Sequence, residues 1–207
     1  MIAAVLLVAL ASAAPAPRDL YLQALDYYSG QNGLQTDRLK AGELFLEAAN
    51  GGDPDAEYTV GRMYQNGLAG VQRDAAQARF WYERGASHGQ LEAMRNLASL
   101  YEGGSGGPQD FKRALEYFRR AAERGHARSL YEISYMTEHG YGVKPNPGDA
   151  YMWRLLSVRL APDDEVGEYR KGLAILDRSV EGAVRRDAAK RADSWLRSHK
   201  LAARNEP

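Results

Sequence analysis

A pattern of small, aromatic and acidic residues returns every 36–37 residues along this chain and decides what it can fold into. Asp37, Asp74, Asp110 and Asn146 share one position of the pattern. Ala41, Ala78, Ala114 and Ala150 follow four residues on, and Leu44, Trp81, Tyr117 and Trp153 three residues later. Upstream of these, Ala24, Gly61, Ala98 and Ser134 align, then Tyr27, Tyr64, Tyr101 and Thr137, then Gly30, Gly67, Gly104 and Gly140; Gly52, Gly89 and Gly125 close the first three copies. A period of this length belongs to helical solenoids, whose units cannot bury their apolar faces alone and are stabilised by stacking.

Each aligned residue type has a physical reason. Asp or Asn ahead of an apolar run is an N-cap, its side chain accepting from free amides of the first turn. Glycine after the last turn takes the left-handed conformation without a Cβ clash. Small residues let helices approach closely, and aromatic ones fill the space between a unit and the next. The periodicity predicts helices over 18–29, 37–50, 54–66, 74–87, 91–102, 110–124, 127–139 and 147–160. Val71 and Val143 are placed to plug the loops back onto the helices; Gly107, at the matching position of the third copy, has no side chain to do so and implies a looser turn.

These residues resemble the Sel1-like repeat, a longer-looped relative of the tetratricopeptide repeat. The resemblance rests on Ala56, Val60-Gly61, Tyr64, Gly67, Gly70-Val71, Asp74, Ala78, Trp81-Tyr82, Gly85-Ala86 and Gly89. It continues through Ala93, Leu97, Tyr101, Gly104, Asp110, Ala114, Tyr117-Phe118, Ala121-Ala122 and Gly125, and through Gly142-Val143 and Ala150 to Trp153. The first copy is the most degenerate, with Asp19 where the opening Ala belongs, and the resemblance covers about residues 19–160. It implies an all-α fold: a right-handed α-solenoid of four Sel1-like, tetratricopeptide-like helix-turn-helix repeats with a C-terminal helical cap. It also implies an adaptor or scaffold role.

The expected organisation is a signal peptide over 1–14, the solenoid over 18–160, capping helices over 161–200 and a frayed tail over 201–207. Met1 to Ala14 is apolar, too short to span a bilayer as a mature helix, and carries Ala11-Ser12-Ala13 as a small-x-small cleavage pattern. The chain is therefore expected in the periplasm or secreted, with no stable membrane span after processing. After Pro162, the residues Val166, Tyr169, Leu173 and Leu176 mark one helix face. Val180, Val184, Ala188, Ala192 and Trp195 mark another, with Ser179 as its cap. The exposed side of that last helix carries Arg185, Arg186, Lys190, Arg191 and Arg197, a weak candidate for a second contact.

Charge and composition narrow the function. The 27 basic and 27 acidic residues balance, which argues against a nucleic-acid partner. The absence of cysteine removes disulfides, thiolate metal sites and a cysteine nucleophile. No H-E-x-x-H, phosphate loop or Ser-x-x-Lys is present. Gly103-Gly104-Ser105-Gly106-Gly107 matches a nucleophile elbow in letters, but falls where an intra-repeat turn needs glycine. His88 and His126 lie near helix-ending glycines and read as capping or solvated side chains. No enzyme activity, cofactor or metal is expected.

What remains is surface. If the units stack as tetratricopeptide repeats do, the first helices line the concave face. Their inward positions fall three before, one after and four after the small residue. These are Tyr58, Arg62 and Gln65, then Arg95, Ser99 and Glu102, then Tyr131, Tyr135 and Glu138, with Tyr21 and Tyr28 from the first copy. Tyr and Arg are frequent interface anchors, although several of the tyrosines could equally pack between helices. The Tyr58–Arg95–Tyr131 and Arg62–Ser99–Tyr135 rows are preferred for a protein or peptide partner. The expected function is a non-catalytic envelope adaptor or scaffold. The alternatives are a periplasmic regulator of a sensor kinase and a disfavoured β-lactamase-like hydrolase.

Overall fold

A computed structural model describes residues 14–203 of the chain. Met1 to Ala13, most of the expected export signal, and the last four residues of the expected tail lie outside the described residues. Ten helices follow one another: α1 Pro17–Ser29, α2 Arg38–Asn50, α3 Pro54–Asn66, α4 Ala75–Ser87, α5 Leu91–Gly103, α6 Phe111–Ala122, α7 Ala127–His139, α8 Pro147–Leu160, α9 Val166–Ser179 and α10 Gly182–Ser198. Among the described residues there is no strand. The first eight form four antiparallel pairs, and each pair packs on the next through α2 and α3, α4 and α5, and α6 and α7. This nearest-neighbour contact pattern is that of a solenoid.

The repeated punctuation sets the geometry. Asp37, Asp74, Asp110 and Asn146 are the N-caps of α2, α4, α6 and α8, each accepting from first-turn amides. The amides of the same residues reach back into the first helix. Asp37, Asp74 and Asp110 donate to the carbonyls of Tyr27, Tyr64 and Tyr101 at 2.9 Å, and Asn146 to that of Thr137 at 3.3 Å. One position of the repeat thus starts the second helix and ties it to the first, at a tyrosine in three copies and at Thr137 in the fourth. Gly30, Gly67, Gly104 and Gly140 end the first helices at φ of 70°, 68°, 67° and 79°. Val71 and Val143 are half-buried against the core, as their positions imply. In the third copy Gly106 holds the left-handed turn, and a Cβ there would stand 2.3 Å from the Ala75 carbonyl oxygen.

The core runs through the stack. Ala56, Val60 and Met63 of α3, Ala93, Leu97 and Leu100 of α5, and Ser129, Ile133 and Met136 of α7 are buried between neighbouring repeats. The matching positions of α1 are Asp19, Gln23 and Asp26, so α1 carries a polar flank at that end of the stack. At the other end α9 and α10 both lean on α8. Leu176, Val180, Ala188, Ala192 and Leu196 bury there, and Trp153 meets Trp195 edge-on at 5.8 Å.

Two local expectations change. Ser179 does not cap α10: it is the last residue of α9, its hydroxyl donating to the Leu176 carbonyl, and α10 begins after Glu181. Leu201, expected to fray, turns back through Lys200 at φ 55° and packs against Gly125. Its amide donates to the Leu196 carbonyl at 3.1 Å, closing α10 with a six-residue loop back to its last turn.

Candidate functional site

The first helices present their rows side by side, and the structure treats the rows differently. In the row of Tyr58, Arg95 and Tyr131, every member is drawn into packing. Tyr58 meets the Tyr82 ring at 6.1 Å, and Arg95 pairs with Glu92 at 2.9 Å. Tyr131 lies under the Arg154 guanidinium at 3.8 Å and against Tyr169 of α9 at 5.5 Å. Gly172 of α9 allows this approach, since a Cβ there would stand 2.4 Å from an Arg154 nitrogen. Tyr131 is therefore an anchor for α9. The row of Arg62, Ser99 and Tyr135 is more open, with Arg62 and Tyr135 exposed and Ser99 half-buried. In the third row Gln65 accepts a 2.6 Å hydrogen bond from the buried Tyr82 hydroxyl, whereas Glu138 is exposed. Glu102 and its neighbour Glu132 are held above the ordinary carboxylate range, each by burial first and Glu102 also by the charge of Glu132.

A groove of about 200 Å³ runs between α1 and α3. Tyr21, Leu25 and Tyr28 supply one wall, Tyr58, Thr59 and Arg62 the other, Phe45 and Met63 the floor, and Leu68 and Ala69 the end. Leu25, Tyr28 and Leu68 are 38%, 44% and 42% exposed, so apolar area faces water here. Tyr58 and Arg62 thus fall together with Tyr21 and Tyr28, while Arg95, Ser99, Glu102, Tyr131, Tyr135 and Glu138 lie outside the groove. Leu25, Thr59 and Leu68 were not singled out from the sequence. Leu25 stands 37 residues before Arg62, so the same counting applied to the first copy reaches it; Leu68 is a loop residue and no periodicity marks it.

Guanidinium groups cover the tyrosines of this groove. Arg18 lies over Tyr21 at 5.0 Å, Arg38 over Tyr28 at 5.5 Å and Arg62 over Tyr58 at 5.8 Å, within the range where a cation is attracted to a ring face. Arg18 is neutralised by Asp55 at 2.6 Å and Asp53 at 3.5 Å.

His88 and His126 acquire carboxylate partners that sequence spacing does not reveal. His88 Nδ1 is 2.7 Å from Oε2 of Glu57, which is fully buried. The other oxygen of Glu57 is 2.9 Å from Arg84, an ion pair without hydrogen-bond alignment. His126 caps α7 and places Nε2 2.9 Å from Glu92, which, with Arg95 beside it, holds the Glu92 carboxyl down to about 2. His126 Nδ1 is also 2.8 Å from the Ser129 hydroxyl, so acid, imidazole and hydroxyl stand in line. Ser129 is fully buried in α7, where no substrate can reach it. Ser105, the elbow candidate, sits in a turn after a helix rather than between a strand and a helix. On α10, Arg185 pairs with Asp177 and Arg191 with Asp149 and Asp187, leaving Arg186, Lys190 and Arg197 exposed. No helix among the described residues is long and apolar enough to cross a membrane.

The comparisons agree with this architecture. A family model described as Sel1 repeat matches residues 17–53, 54–90, 91–126 and 127–154. No match was found among curated proteins. A solved Sel1 repeat protein from Oxalobacter formigenes is 25% identical, with a TM-score of 0.72 over 89% of this chain and 70% of its own. A protective antigen present in uropathogenic Escherichia coli strains, displaying an SLR fold, is 20% identical with a TM-score of 0.76. The match covers 92% of this chain but 42% of that protein, so the chain spans less than half its length.

Proposed function

Because this chain belongs to the Sel1 repeat family, whose members are typically non-catalytic protein-interaction scaffolds, we propose that it is an adaptor of the bacterial envelope, binding a peptide or protein segment on the concave face of its solenoid. The observation that carries this reading is the groove between α1 and α3, where Leu25, Tyr28 and Leu68 remain exposed beside Arg62. Apolar side chains left open along a groove, with Tyr and Arg beside them, are what binding hot spots are made of. The envelope location is supported by the apolar N-terminal run and its small-x-small pattern. A scaffold rather than an enzyme is supported by the burial of Ser129 and the turn setting of Ser105.

The test is selection from a random peptide library displayed on phage, against the protein and against its Leu25→Asp, Tyr28→Asp variant. Circular dichroism must first show both to be equally helical. Enriched peptides that bind the parent and lose the variant support the groove. Selection of the same peptides by both proteins refutes it.

A further inference from the structure

Resting on that reading of the groove, we propose that its occupant is an acidic, apolar peptide segment: one or two large apolar side chains flanked on both sides by carboxylates. The apolar part follows from the walls. Leu25 and Leu68 are open to water on the same groove, and covering them removes apolar area from water.

The acidic part follows from the cations. Arg38 and Arg62 sit over Tyr28 and Tyr58, and among the described residues neither has a carboxylate partner. Arg18, over the third tyrosine, is already matched by Asp53 and Asp55. The two unmatched guanidiniums are pre-positioned by the rings beneath them, which lowers the entropy lost when each forks onto a carboxylate. They stand on different helices, α2 and α3, on rings belonging to opposite walls of the groove. Two separated cations call for two separated carboxylates. An extended chain, at about 3.3 Å per residue, spaces Asp or Glu on either side of an apolar anchor to reach both; a fatty acid has one carboxylate and meets one cation.

The experiment is fluorescence anisotropy on the purified protein with the labelled peptide Gly-Asp-Glu-Leu-Phe-Glu-Asp-Gly. A counterpart carries Lys at every acidic position, and laurate serves as a competitor. The acidic peptide is expected to bind, to weaken about tenfold with each of Arg38→Glu and Arg62→Glu, and to weaken further as salt is raised. The lysine peptide is expected to gain in the double variant. Equal binding of both peptides, lost on Leu25→Asp, overturns the acidic occupant and leaves the groove standing. Laurate bound more tightly than the peptide overturns it in favour of a free amphiphile. Binding that is absent, or indifferent to Leu25→Asp in a folded variant, overturns the groove as well.

Discussion

Replacing Gly61 with alanine should destabilise this protein, although alanine is the better helix former. Gly61 lies inside α3, where the substitution by itself gains about 1 kcal/mol. A Cβ at that point would stand 2.5 Å from both Cδ1 and Cε1 of Tyr82. Carbon atoms in contact rest at about 3.5–4.0 Å, so ring and helix must separate by about 1 Å. Tyr82 cannot yield easily: it is fully buried and its hydroxyl is held by Gln65 at 2.6 Å. Overpacking costs about 1–3 kcal/mol, and swinging the ring off Gln65 loses about 1 kcal/mol more. The net loss is about 2 kcal/mol, or about 4–8 °C in Tm for a chain of this size. Gly167 is the control. It lies in the first turn of α9 with nothing within 4 Å of its Cβ position, so Gly167→Ala should leave Tm unchanged or higher, with a gain in stability of up to about 1 kcal/mol. Thermal melts followed by circular dichroism at 222 nm decide the matter. A Gly61→Ala protein that melts at or above the parent refutes the close-packing argument. So does a Tyr82→Leu background in which the Gly61→Ala loss is undiminished.

Other substitutions separate support from binding. Tyr131→Ala should raise amide exchange in α9 and lower Tm while leaving peptide binding at the α1–α3 groove within about twofold, because its ring is spent on Arg154 and Tyr169; unchanged exchange in α9 would contradict this. His126, with Arg95, holds the Glu92 carboxyl down to about 2, below the ordinary carboxylate range, so its contribution is present above the unfolded pKa and is lost as pH falls from about 4.5 toward 2. Its exposure limits that contribution to about 1 kcal/mol, and the Tm gap between parent and Glu92→Gln should close over this window. Glu132 has the opposite sign. Its raised pKa means that the ionised carboxyl costs stability at neutral pH, so Glu132→Gln should melt higher at pH 7 and lose its advantage in acid. Expression with residues 1–14 in place in a bacterial host should yield an envelope protein beginning near Ala14 by N-terminal sequencing; a cytoplasmic product that retains Met1 would refute export.

Much of the fold is written in local chemistry. The N-caps at Asp37, Asp74, Asp110 and Asn146 and the terminators at Gly30, Gly67, Gly104 and Gly140 act within one turn of chain, so their spacing alone places eight helices. Repetition then makes the stacking legible, because the same buried positions recur in α3, α5 and α7. At the C-terminus the repeat stops and so does the guidance: Ser179 looks like a cap, yet the chain prefers Val180 buried, and α10 starts later.

The site was less legible, because side chains from different repeats compete for the same space. Counting along the sequence puts Tyr58, Arg62 and Tyr131 on one face, but cannot say that α9 will cover Tyr131 and that nothing among the described residues will cover Leu25. Nor can it pair Glu57 with His88, or Glu92 with His126, since 31 and 34 residues separate partners that stacking brings within 2.9 Å. The eight repeat helices, their ends and their repetition can be read from the chain because capping and periodicity are short-range. Which glycine is a contact and which is free, which histidine meets a carboxylate, and which guanidiniums stand unmatched emerge only on folding, since burial and pairing depend on neighbours a whole repeat away.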